Sequence, residues 1–76
     1  MAKGDVHVVH RKDEGQWAVE IEGNERASSL HDTKPPAEQA GRAAAIREQS
    51  ELFIHGQDGK IQERNTYKRD PLRSRG

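Results

Sequence analysis

The sequence contains no cysteine, which excludes a disulfide framework, a thiol nucleophile and a cysteine-based zinc site. Aromatic residues are scarce: Trp17, Phe53 and Tyr67 are the full complement. No apolar run approaches the roughly 18 residues of a membrane span, and the N-terminus lacks the apolar stretch of a secretory signal. An excess of one charge is also missing, because thirteen basic residues balance thirteen acidic ones. Low hydrophobicity without large net charge is not the signature of a disordered chain. Large apolar side chains are few. Leu, Ile, Val and Phe number twelve in 76 residues, and eight alanines make up most of the other hydrophobic residues. The length admits one small domain, and its core is thin.

The balanced total hides a gradient. Residues 1–59 hold seven Lys/Arg and eleven Asp/Glu, a net of −4, whereas residues 60–76 hold six Lys/Arg and two acids, a net of +4. The sequence predicts a domain over residues 1–67 and a basic, flexible tail over residues 68–76.

Val6, Val8 and His10 alternate with His7, Val9 and Arg11, as in a strand; Trp17, Val19 and Ile21 alternate with Ala18, Glu20 and Glu22. Lys12-Asp13-Glu14-Gly15 between them suits a four-residue hairpin loop. Pairing Arg11 with Gln16 places His10, Val8 and Val6 opposite Trp17, Val19 and Ile21. A slip of one residue would set Val8 against a glutamate, so the register is specified.

Residues 27–31 are compatible with a short strand or with loop. Thr33-Lys34-Pro35-Pro36 precedes an alanine-rich stretch that predicts a helix from about Pro36 to Glu51. Ala40, Ala43, Ala44 and Ile46, with the stem of Arg47, form its expected inner arc. Leu52-Phe53-Ile54-His55-Gly56 then reads as a strand, and Asp58-Gly59 signals a two-residue turn. That turn pairs Gly56 with Ile61, Ile54 with Glu63 and Phe53 with Arg64. The expected fold is α+β, an antiparallel sheet of two hairpins with one helix on one face, in the order β-β-α-β-β. Trp17, Val19, Ile21, Leu52, Ile54 and Ile61 would face the helix. Val9, Ala18, Phe53, His55 and Arg64 would line the open face with His7, Glu20 and Gln62.

Five stretches then stand in a familiar order: Trp17-Ala18-Val19-Glu20, Thr33-Lys34 leading to Ala37, Glu51 through Gly56, Asp58-Gly59-Lys60-Ile61, and Tyr67 before Asp70-Pro71. Over roughly residues 6–72 the chain resembles the small bacterial proteins of domain-of-unknown-function family 2188. The resemblance implies a bacterial, cytoplasmic, stand-alone domain, and it supplies no catalytic residue. The chain departs from the family pattern at Pro36, where a glutamate is usual, and at Lys68-Arg69, where a glycine follows the tyrosine.

Catalysis is not expected. There is no phosphate-binding glycine loop, no nucleophile motif and no His-Glu-x-x-His helix. His7 and His55, with Glu20 opposite His7, would make a zinc-like set if the hairpins adjoined. The simpler reading is polar strand residues facing water, with no metal and no cofactor. His10 is expected as a hydrogen-bonded histidine beside Trp17. The leading expectation is a non-catalytic interaction module that binds a protein partner, or pairs with itself as a homodimer, through Val9, Ala18, Phe53, His55 and Arg64. The alternative is nucleic-acid binding through Arg64, Tyr67, Lys68, Arg69, Arg73 and Arg75, with phosphate contacts and one stacking ring.

Overall fold

The computed structural model of the chain describes residues 4–24 and 26–67. Its elements are β1 (Val6–Arg11), β2 (Gln16–Ile21), β3 (Ser29–His31), α1 (Lys34–Glu48), β4 (Glu51–His55) and β5 (Ile61–Thr66). The first hairpin has the register read from its alternation: Val6, Val8, His10 and Arg11 face Ile21, Val19, Trp17 and Gln16. Gly15, at φ 64°, closes its loop, a backbone conformation that favours glycine.

The class is α+β, as expected, but the order is β-β-β-α-β-β and the sheet is mixed. The strands lie in the order β3-β2-β1-β4-β5, and β1 pairs with β4 in parallel, Val6 with Leu52 and Val8 with Ile54. Three residues cause the difference. With β3 added antiparallel to β2, the chain enters the helix travelling in the direction of β1. An antiparallel return through α1 then starts β4 in that same direction. Without β3, the parity would reverse and the two hairpins would meet antiparallel. A parallel neighbour needs a crossover of this kind, and the helix supplies it.

Helix α1 begins two residues earlier than expected and ends three earlier. Thr33 is extended at the N-cap, and the prolines fall in the first turn, where their missing N–H groups had no intrahelical acceptor. At the other end Gln49 turns left-handed at φ 54°, with its N–H directed at the carbonyls of Ala45 and Ile46. The inner face is also rotated from the expected arc. Ala37, Gly41, Ala44 and Ala45 are buried, whereas Ala43, Ile46 and Arg47 are exposed. The observed set follows i, i+4, i+7, i+8 spacing. Gly41 explains the rotation: a Cβ there would lie 2.7 Å from Val8 Cγ2 and 3.0 Å from Leu52 Cδ1. The helix therefore touches β1 and β4 at its smallest residue. Around that point Val6, Val8, Val19, Leu52 and Ile54 are removed from water, with Trp17 and Ile21 nearly so.

The second hairpin corrects the expected turn. Gly59 N–H bonds to the Gly56 carbonyl, and Gly56 N–H bonds to the Lys60 carbonyl. The loop therefore has three residues, Gln57, Asp58 and Gly59, with Gly59 at φ 85° in the glycine position of a G1 bulge. One extra loop residue shifts the register, so His55 faces Ile61; an irregularity at Ile54/His55 then restores Ile54 to Glu63 and Phe53 to Arg64. Ile61 is consequently turned away from the helix and is 57% exposed. Gln62 moves the opposite way, and its Oε1 accepts a hydrogen bond from Lys34 of the helix at 2.9 Å.

The contact at Gly41 yields a sign reversal. Glycine to alanine inside a helix ordinarily stabilises by about 1 kcal/mol. Gly41→Ala instead destabilises the protein by about 1–3 kcal/mol, through overpacking against Val8 and Leu52. Urea denaturation checks this, and a gain in stability would contradict the packing described.

In the same experiment Ile54→Ala costs about 2–5 kcal/mol, as for a buried aliphatic side chain. Ile61→Ala costs far less, because Ile61 is already largely in water.

Candidate functional site

With α1 on one side of the sheet, the opposite side has no described element packed on it. Cross-strand pairing fixes what this side carries. Leu30 lies opposite Ala18 and Ala18 opposite Val9, so one row crosses β3, β2 and β1. A second row runs Glu20, His7, Phe53, Arg64 across β2, β1, β4 and β5. Ile61, opposite His55, lies on the same side. Val9, Phe53 and His55 are half-buried, and Leu30 is 46% exposed.

The polar side chains of this face are tied to one another. Arg11 donates to Glu20 at 3.1 Å. That hydrogen bond is the main cause raising the Arg11 guanidinium above its ordinary pKa; partial desolvation opposes it and the charge of Glu14 adds to it. Arg64 reaches Glu51 at 3.2 Å and lies over the Phe53 ring at 5.8 Å. The imidazole of His7 stacks on Phe53, with centroids 5.0 Å apart and planes within 17°. The central feature is a chain through two imidazoles. His7 Nε2 meets Glu22 Oε2 at 2.8 Å, His7 Nδ1 meets His55 Nε2 at 3.2 Å, and His55 Nδ1 meets the Gly59 carbonyl oxygen at 3.2 Å.

Parallel pairing of β1 and β4 brings the two histidines together, as the zinc-like reading required, but the geometry is not that of a metal centre. The ring centroids are 5.5 Å apart, which exceeds the gap between the facing nitrogens by about one centre-to-nitrogen distance per ring. The facing nitrogens therefore point along a common line. Two zinc–nitrogen bonds of about 2.0–2.1 Å are together longer than that gap, so an ion would stand off the line, where neither lone pair points. Among the described residues no group of three or more histidines and carboxylates is placed to hold a metal. The carboxylate that meets His7 is Glu22, not Glu20, because Arg11 draws Glu20 away.

Of the five residues expected to form the interaction face, Val9, Phe53, His55 and Arg64 are together on it. Ala18 shares the face but is fully buried, since a methyl group between larger neighbours presents no surface. The sequence reading missed Glu22, Leu30 and Ile61. Glu22 continues the outward alternation of Ala18 and Glu20, and that was the available signal. Leu30 needed β3, and Ile61 needed the three-residue loop.

Of the residues in the nucleic-acid reading, Lys68, Arg69, Arg73 and Arg75 lie outside the described residues, as does the expected tail. Tyr67 packs against the core cluster, and its N–H bonds to the Ser50 carbonyl at 3.0 Å. Arg64 is held by Glu51. On the helix side, His10 lies against Trp17 at 4.7 Å between centroids. Among the described residues its Nδ1 is buried without a hydrogen-bond partner, so the expected hydrogen bond is not made at that nitrogen.

A hollow of about 760 Å³ lies beside His10, Trp17, Lys34 and Gln62. Its ammonium group, on Lys34, is already engaged by Gln62, Glu38 and the Trp17 ring. Another, of about 420 Å³, lies on the open face between His7, Val9, Glu22, Arg26 and His55, so the imidazole chain borders accessible space.

Residues 6–67 match the family described as "Uncharacterized protein conserved in bacteria (DUF2188)". The chain belongs to this family. It is similar to "Uncharacterized protein YdaT" of Bacillus subtilis (strain 168), with 34% identity over 62 residues, which is 82% of this chain and 39% of that protein. The chain thus spans well under half the length of the curated relative it matches. No solved structure matches it. The match to the DUF2188 family takes in every strand and the helix, so both faces of the sheet belong to the shared region. Among the described residues no helix is long and apolar enough to cross a membrane.

Because Tyr67 packs on the core, Tyr67→Ala lowers stability by about 1–2 kcal/mol, part of the cost of deleting a fully buried aromatic ring. Thermal denaturation measures this. An unchanged midpoint would show that the ring is free.

Proposed function

We propose that the chain is a non-catalytic interaction module that pairs with a second copy of itself through the uncovered sheet face. The cytoplasmic setting implied by the family resemblance forms part of this reading. The observation that carries it is the distribution of large apolar residues in a chain that has few. Among the described residues Val6, Val8, Val19, Ile21, Leu52 and Ile54 build the core. Of the other five Leu, Ile, Val and Phe residues, Val9, Leu30, Phe53 and Ile61 share the open face, and only Ile46 lies elsewhere.

Full burial of side chains of this size is worth about 1.5–3 kcal/mol each, and roughly half of that remains ungained at Leu30 and Ile61. A small domain with a thin core gains more from such burial than a large one does. The charges favour a second copy over a strongly acidic or basic partner. Arg11 is matched by Glu20 and Arg64 by Glu51, so much of the charge on the face is already paired within the chain. Of the residues in the nucleic-acid reading, Arg64 and Tyr67 are engaged within the chain, and Lys68, Arg69, Arg73 and Arg75 lie outside the described residues.

Sedimentation across a concentration series tests the proposal. The wild type forms dimers, and Ile61→Glu and Phe53→Glu each weaken the dimer about tenfold or more, whereas Ile46→Glu on the helix side leaves it unchanged. Circular dichroism confirms that each variant is folded. A wild type that stays monomeric at every concentration, or a dimer indifferent to both open-face variants, would overturn it.

A further inference from the structure

Satisfying all three contacts of the imidazole chain as hydrogen bonds fixes its proton count. The Gly59 carbonyl can only accept, so His55 Nδ1 carries a proton. The Glu22 carboxylate also accepts, so His7 Nε2 carries one too. The facing pair, His7 Nδ1 and His55 Nε2, needs one proton between them to make a bond at 3.2 Å. That places three protons on four ring nitrogens, one more than two neutral imidazoles hold. With two protons, one of the three contacts sets a lone pair against a lone pair or a carboxylate. With four, two N–H groups meet head to head.

We propose that His7 and His55 share a single proton, and that this proton regulates the open face, which self-associates in the singly protonated state and separates on losing that proton or gaining another. This rests on the self-pairing reading above. The reason is charge balance. With one proton shared, the dyad's single positive charge offsets Glu22. Glu20, directly opposite His7, is already matched by Arg11, and Glu51 by Arg64. Arg26 borders the same hollow. In the turn beneath His55, Asp58 accepts from the Lys60 N–H. Losing the proton leaves Glu22 with no cation in contact among the described residues, since Arg26 makes no ion pair with it; gaining a second adds an unmatched cation. In a two-fold dimer either change appears twice across the interface, and like charges there oppose association. His10 and His31 pair across from Trp17, on the helix-covered side, and do not face this surface.

The test is the dimer dissociation constant of the full chain between about pH 5 and pH 8, the range in which histidine side chains change charge. The wild type gives a bell, with the constant rising about tenfold or more on each side of its optimum. Glu22→Gln, which keeps the shape and removes the charge, leaves no anion exposed when the dyad loses its proton. It therefore abolishes the alkaline limb and keeps the acid one. His55→Gln leaves one titrating ring and turns the bell into a single step, and His31→Gln preserves the bell.

A pH-independent dimer, or a bell unchanged in Glu22→Gln, overturns the proton mechanism while leaving self-pairing intact. A chain monomeric at every pH overturns self-pairing and, with it, the regulation of association, but not the shared proton. In that case nitrogen-detected NMR of the imidazoles in the monomer decides the remaining question: three protonated ring nitrogens on His7 and His55 at one pH support the shared proton, and no pH giving three refutes it.

Discussion

The parallel seam between β1 and β4 is the pairing on which everything else depends. It joins the N-terminal three-stranded unit to the C-terminal hairpin, and among the described residues no other strand pair does so. On one side it sets Val6 and Val8 beside Leu52 and Ile54, the centre of the core. On the other it sets His7 beside Phe53 and within reach of His55. Core and candidate surface are thus two faces of one contact. The helix secures it from above, because Gly41 lets the backbone of α1 come down on Val8 and Leu52 together. An alanine at that position would hold the helix off the line where the two halves meet.

Much of this was legible in the sequence, and what was not has physical causes. The first hairpin could be read residue by residue, since a one-residue slip would have put valine against glutamate. The alternation within β4 correctly sent Leu52 and Ile54 to one face and Phe53 and His55 to the other. The sheet's parity was not legible, because it turns on β3, whose three residues carry too little alternation to identify a strand. The helix face was misjudged because the arc was chosen by hydrophobicity, whereas the packing selects the smallest residue. The fate of Ile61 hung on one loop residue: Asp58-Gly59 serves a two-residue turn or the end of a three-residue one, and the two choices send Ile61 to opposite sides.

For the candidate surface, most of the expected residues do share one face, and the chemistry read there was incomplete. Val9, Phe53, His55 and Arg64 share the face, but Leu30 and Ile61 supply its most exposed apolar groups. The pairing of His7 with His55 needed only adjacency of the hairpins. The role of Glu22 depended further on Arg11 removing Glu20 from contention, a competition between side chains that periodicity does not describe. Membership of the DUF2188 family adds that both surfaces lie within the matched region, without choosing between them.

The seam also bears on how the chain reaches its native state. Val6 and Leu52 are partners across most of the described length, with a hairpin, a short strand and a helix between them. Each hairpin alone is at best marginal in water, and the alanine-lined helix has little to pack on until both are present. Productive contacts therefore accrue only once this long loop is closed, a topology that slows folding. It also makes the domain come apart as one cooperative unit rather than strand by strand.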